Sequence, residues 1–176
     1  MTDLLCLFLD GDAPDAWTAT YGPGADRAAE DAAASHQPAT FYPESGPSRV
    51  AVVPLAENLS GPERWRWAGA DAARLAGCLK TGSVTLEAPD DEAADALAEG
   101  FVLGAYRFDR YRTGEAPPAA PALTVRLGDG PEADVADALA RAHATNAARD
   151  LVNLSPDEKM PADLADAMRE GAEDAG

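Results

Sequence analysis

Few side chains in the sequence have the type and spacing for chemistry. Of its two histidines, His36 lies in a Pro/Ala-rich stretch and His143 on a helix-like segment beside its apolar stripe. Nucleophilic catalysis needs a serine or cysteine within hydrogen-bond reach of such a base. No serine sits in a sharp strand-to-helix turn, and no cysteine is near either histidine in sequence. Asp10 and Asp12 follow the first apolar run and are the best local candidates for a divalent cation. A dinuclear site, however, needs several carboxylates converging from ordered elements, and aspartates after a strand are ordinary turn formers. The glycine pairs of "YGPG" (21–24) and "GDG" (128–130) are too short and wrongly spaced for a phosphate loop. Catalytic, cofactor-binding and metal-ligating residues are all expected to be absent.

The densest aromatic stretch is "FVLGAYRFDRYRT" (101–113). It holds four of the eleven aromatics and three of the twelve arginines. Read as the end of a long helix over 89–113, it places Leu97, Phe101, Gly104, Ala105 and Phe108 on one apolar stripe. Its arginines would then face the negative end of the helix dipole, with Asp109 and Arg112 as an i,i+3 pair.

The elements that would position these residues read as strand and helix in alternation. Leu4–Leu9 is a buried strand. Residues 11–48 are rich in Gly, Pro, Ala and Asp, with a short helix over 26–35 and a short strand over 39–42. Residues 49–56 form a strand ended by Pro54. A helix follows from Pro62 after Ser60, with Trp65, Ala68, Ala72, Leu75 and Leu79 on one face. Strands over 83–88 and 122–127 flank the long helix, and "GEAPPAAP" (114–121) is a flexible connection. The next helix runs from about Glu132 to Leu151, with Val135, Leu139, Ala142 and Asn146 inward. This alternation predicts an α/β fold: a mixed, mostly parallel sheet flanked by helices. Near the end, Ser155, Pro156 and Glu158 suggest a capping box. A new helix starts at Pro161 with Leu164, Ala165 and Met168 on its apolar face. That stripe is expected to fold back on the domain or pair with a neighbour.

Composition excludes several function classes. The 176 residues carry 14 basic and 31 acidic side chains, a net charge of −17. Nucleic acids and anionic membranes are disfavoured partners, because both need clustered Lys/Arg. No window reaches the roughly 18 apolar residues of a membrane helix, and Asp3 stands where a secretory leader would be basic. A cytoplasmic location is expected, with Cys6 and Cys78 as two buried thiols. The sequons at Asn58 and Asn153 are then chance matches. Forty alanines and two lysines against twelve arginines suit a GC-rich bacterial genome.

Two segments together carry a family resemblance. "LAEGFVLGAYRFDRYRT" (97–113) and "TNAARDLVNLSPDEKMPADLADA" (145–167) are similar to the N-terminal portion of the leucyl aminopeptidases, the cytosol aminopeptidase family. The matching positions are Gly104, Tyr106, Phe108, Asp109 and Tyr111, then Arg149, Asp150, Leu151 and Asn153, then Pro156 and Pro161. Met160 stands where the family usually has threonine. The resemblance implies a macrodomain-like, non-catalytic N-terminal α/β domain over 1–151. It also implies a connector and the first helix of a C-terminal peptidase domain over 152–176. The parent would be a metal-dependent exopeptidase that releases N-terminal residues from peptides, with two divalent metals (Zn, Mn or Mg), assembled as a homohexamer. The family's catalytic motifs do not occur in this sequence, so no cofactor is expected in this chain. The part present would serve assembly, stability or substrate access. The alternatives are a macrodomain-type module binding nucleotide or ADP-ribose, and a free-standing acidic interaction domain.

Overall fold

A computed structural model describes residues 3–114 and 119–175. Five strands form one sheet: β1 (Leu4–Leu9), β2 (Ala39–Phe41), β3 (Val50–Pro54), β4 (Ser83–Ala88) and β5 (Ala122–Leu127). Their spatial order is β2-β3-β1-β4-β5. β2 runs antiparallel to β3, and the other neighbours are parallel. The helices are α1 (Asp15–Tyr21), α2 (Gly24–Ser35), α3 (Gly61–Leu79), α4 (Asp91–Ala105), α5 (Ala136–Asn153) and α6 (Pro161–Ala175). The expected α/β class and mostly parallel sheet are present.

Strand alternation divides the core between two faces. Leu4, Cys6, Ala51, Val53, Val84 and Leu86 pack with α3 and α4. Leu5, Leu7 and Val50 pack on Tyr21 and Ala25, and Leu9 and Val52 on Ala28, Ala29 and Ala32. On β4 and β5 the second face is polar: Thr85 lies opposite Thr124, and Glu87 opposite Arg126. The alanines on the helices let α2, α3 and α4 lie close to the sheet, and α3 and α4 close to one another. Contact between α3 and α4 is tightest at glycine: a Cβ on Gly69 would stand 2.3 Å from the Leu97 carbonyl oxygen, and one on Gly100 2.0 Å from that of Arg66.

Local signals explain several boundaries. Asp90 is the N-cap of α4, its carboxylate accepting from Ala93 N–H at 2.8 Å. The Asp3 carboxylate accepts from the Gly82 and Ser83 amides, tying the start of β1 to the start of β4. All five residues expected on the buried face of α3 lie in or against the core.

Four expectations need correction. The long helix ends at Ala105, not near 113, and no basic residue lies in its last turn. Phe108 therefore leaves the core stripe and meets Tyr111 edge to face, with ring centroids 5.4 Å apart. The next helix begins at Ala136, because Glu132 bridges back to Arg126 and Ala133 N–H donates to the Val125 carbonyl. Ser155 makes no side-chain cap; a single 3-10 turn (Pro156–Glu158) forms instead, and the Glu158 carboxylate turns to Tyr111 and Arg110. Finally, Cys78 is exposed and only Cys6 is buried. Part of the 114–121 connection (115–118) lies outside the described residues. Helix α1 was not anticipated; Gly22 (φ 88°) ends it by donating to the Thr18 carbonyl.

Burial pushes the Cys6 thiol up to about 12, so it stays protonated and unreactive in the folded protein. A disulfide-exchange reagent at pH 8 should therefore titrate one thiol in the native chain, at Cys78, and two after denaturation. Rapid labelling of both thiols without denaturant would contradict this burial.

Candidate functional site

The aromatic run and the connector meet at one place. Tyr106 takes an extended conformation (φ −57°, ψ 133°) directly after α4. Its hydroxyl donates to Asp150 Oδ1 at 2.8 Å and accepts from Asn153 Nδ2 at 3.1 Å. The Arg149 guanidinium lies over its ring, 5.4 Å from the centroid. Desolvation, reinforced by the Asp150 carboxylate, raises the Tyr106 phenol above its ordinary pKa. Arg149 Nη1 donates to the Leu103 carbonyl, and Asn146 Nδ2 to that of Val102. Side chains of α5 thus satisfy carbonyls that the end of α4 leaves unpaired, which is why the helix can stop without a glycine.

One turn further on, Tyr111 repeats the device. Its hydroxyl donates to Glu158 Oε2 and accepts from the Ser155 amide, both at 2.7 Å. Arg110 pairs with the same carboxylate at 3.2 Å, and Lys159 Nζ donates to the Val152 carbonyl at 2.9 Å. Asp109 pairs with Arg112 as expected, at 3.6 Å, and also with Arg107 at 3.4 Å. These contacts clamp the segment after α4 against the end of α5 and the turn before α6. At the end of α5 and beyond it, Val152, Met160 and Met168 are 73%, 58% and 65% exposed. Leu164 and Ala167 of α6 are half-buried, and Ala167 borders a groove with Phe108 and Leu154.

A second feature lies at the carboxyl ends of β1 and β4. The chain leaves β1 through α1 and α2 on one face of the sheet and leaves β4 through α4 on the other. Between such neighbours α/β sheets open a crevice. Here it is a cleft of about 320 Å³ with Phe8, Trp17 and Trp65 among its walls and Asp10 and Glu87 among its polar groups. Phe8 and Trp65 meet edge to face at 6.0 Å. Arg64 grips Asp10 with two hydrogen bonds of 2.6 and 2.9 Å, and Arg126 holds Glu87 at 3.1 Å. The Arg64 hydrogen bonds hold the Asp10 carboxyl below its usual 3.8 against a smaller desolvation cost. Because the folded value is the lower one, this contribution to stability is present above about pH 3.8 and fades as pH falls further. Tyr21 lies near Glu87 and Arg126; desolvation first, then the Glu87 charge, raises its phenol.

The other candidates are dispersed. His36 caps α2 in a left-handed conformation (φ 53°) and is exposed, and His143 is exposed on α5. Among the described residues no group of three or more His, Cys, Asp or Glu could hold a metal ion, and Asp10 is paired with Arg64. Among the described residues no helix is long and apolar enough to cross a membrane.

A mixed, mostly parallel α/β fold in which the segment after α4 is clamped to the end of α5 is the architecture defined by this geometry. Residues 30–115 match the profile described as "Cytosol aminopeptidase family, N-terminal domain". A probable cytosol aminopeptidase of Rhodococcus opacus (strain B4) is 38% identical over 130 residues, covering 69% of this chain and 25% of the relative. One from Chlorobaculum parvum is 33% identical over 154 residues, 74% of this chain and 30% of the relative. The solved bottromycin maturation enzyme BotP in complex with Mn superposes with a TM-score of 0.71 at 29% identity, over 100% of this chain and 37% of that chain. A tomato leucine aminopeptidase mutant gives a TM-score of 0.71 at 21% identity, over 94% of this chain and 38% of that chain, and supports the fold. The chain is an N-terminal domain of the cytosol aminopeptidase family. It spans about a quarter of the length of the Rhodococcus relative.

Sequence reasoning named most clamp residues as two separate runs and could not bring them together. It missed the cleft: Trp17 lay in a stretch with no assigned element, and Trp65 was read only as core.

Proposed function

We propose that this chain serves as the non-catalytic N-terminal domain of a leucyl aminopeptidase, a metal-dependent exopeptidase releasing N-terminal residues from peptides. The single observation that carries this reading is the clamp. The two family-like runs interlock where α5 gives way to the connector, so the domain fixes the direction of the outgoing chain. On this reading residues 1–151 are the domain, and 152–176 are the connector and first helix of a C-terminal peptidase domain. Val152, Met160 and Met168 would be covered by that domain or by sister subunits of a homohexamer. The two divalent metals (Zn, Mn or Mg) and the reacting groups would belong to the peptidase domain. Its role here would be assembly, stability or peptide access in a cytoplasmic enzyme.

The test is direct. The 176-residue chain incubated with Mn²⁺ or Zn²⁺ and leucinamide should release no leucine above a metal-only blank. Robust metal-dependent release that survives repurification would overturn the reading.

A further inference from the structure

We infer that the cleft between the carboxyl ends of β1 and β4 is a binding site for a primary ammonium group carried on an apolar body. Three aromatic rings, Phe8, Trp17 and Trp65, form its walls, and the polar side chains among its lining are the carboxylates of Asp10 and Glu87. Aromatic faces attract a cation through their quadrupole, and a carboxylate held ionised adds a charge-assisted hydrogen bond. Arg64 and Arg126 hold these two carboxylates in place. Each carboxylate has further lone pairs to offer an ammonium donor.

Charge and size exclude other occupants. A phosphate or nucleotide would meet Asp10 and Glu87 in a chain of net charge −17, whereas the same field concentrates cations. At about 320 Å³ the cleft is at the small end of ligand pockets, too small for a dinucleotide and adequate for a branched amine. The site stands on these side chains and their place at the carboxyl ends of β1 and β4, and does not depend on the peptidase reading.

The experiment follows intrinsic fluorescence of the whole chain. Two of its three tryptophans line the cleft, and Trp67, 51% exposed, lies elsewhere. Isoamylamine and a leucyl dipeptide amide, each titrated at pH 7, should give saturable changes with half-points on the order of 1 mM or below. Tighter binding of the dipeptide amide would identify a peptide N-terminus as the source, and tighter binding of isoamylamine a free amine. Isovalerate and ADP-ribose should give no saturable change. Trp67→Phe should keep the response, and Asp10→Asn, on an exposed carboxylate, should weaken it about tenfold. Trp17→Leu should weaken it as well, which keeps the test decisive if Asp10→Asn fails to fold. No saturable response to either amine, binding indifferent to both Asp10→Asn and Trp17→Leu, or tighter binding of ADP-ribose would each overturn the inference.

Discussion

Replacing Gly100 by valine should destabilise the folded chain by about 3 kcal/mol or more. The reason is backbone against backbone. A Cβ at Gly100 would lie 2.0 Å from the Arg66 carbonyl oxygen and 2.7 Å from its carbon, and neither can rotate aside as a side chain would. The α3–α4 seam must open, and with it the cover over Leu86 and Val84 in the core. For a chain of this length the midpoint of thermal unfolding should fall by roughly 6–12 °C. Gly77→Ala is the matched control, because nothing lies within 4 Å of its added carbon. It should be neutral or stabilise by up to about 1 kcal/mol, as alanine for glycine does in an exposed helix. Equal melting of Gly100→Val and wild type would show that the helices do not touch there.

The second large effect is expected at Leu86. It is 0% exposed and lies in β4 between Cys6 of β1 and Val125 of β5. Leu86→Ala removes buried methyl groups and leaves a space that two neighbouring strands cannot close. The loss should be about 3 kcal/mol, seen as a lower urea midpoint at unchanged slope. Met168→Ala, on a side chain 65% exposed, should stay within about 0.5 kcal/mol.

These contrasts show what a sequence can reveal. β4 and β5 were legible to the residue because each is a short apolar run between turn signals, and α3 because its apolar spacing is regular over five positions. The order of the strands was not legible, since alternation says which face a side chain takes and nothing about its neighbour strand. The end of α4 was hidden for a related reason. Nothing local stops a helix at Ala105; Asn146 and Arg149, more than forty residues later, supply the donors that end it. The clamp could be named from resemblance yet not assembled, because a continued helix would have carried Tyr106 and Tyr111 away from Asp150 and Ser155. Of the two cleft carboxylates, only Asp10 attracted notice, and as a metal candidate; Arg64, which binds it, is 54 residues away.

The central claim is that Tyr106 and Tyr111 hold the outgoing chain in one direction. Residue-resolved amide exchange on the native chain tests this most directly, comparing wild type with Tyr111→Phe. The Ser155 amide, which donates to the Tyr111 hydroxyl, should be protected in wild type. In the variant it should exchange at least tenfold faster, while amides of β1 and β4 keep their protection. A Ser155 amide that exchanges at the unprotected rate in wild type, or that is unchanged in the variant, would contradict the clamp.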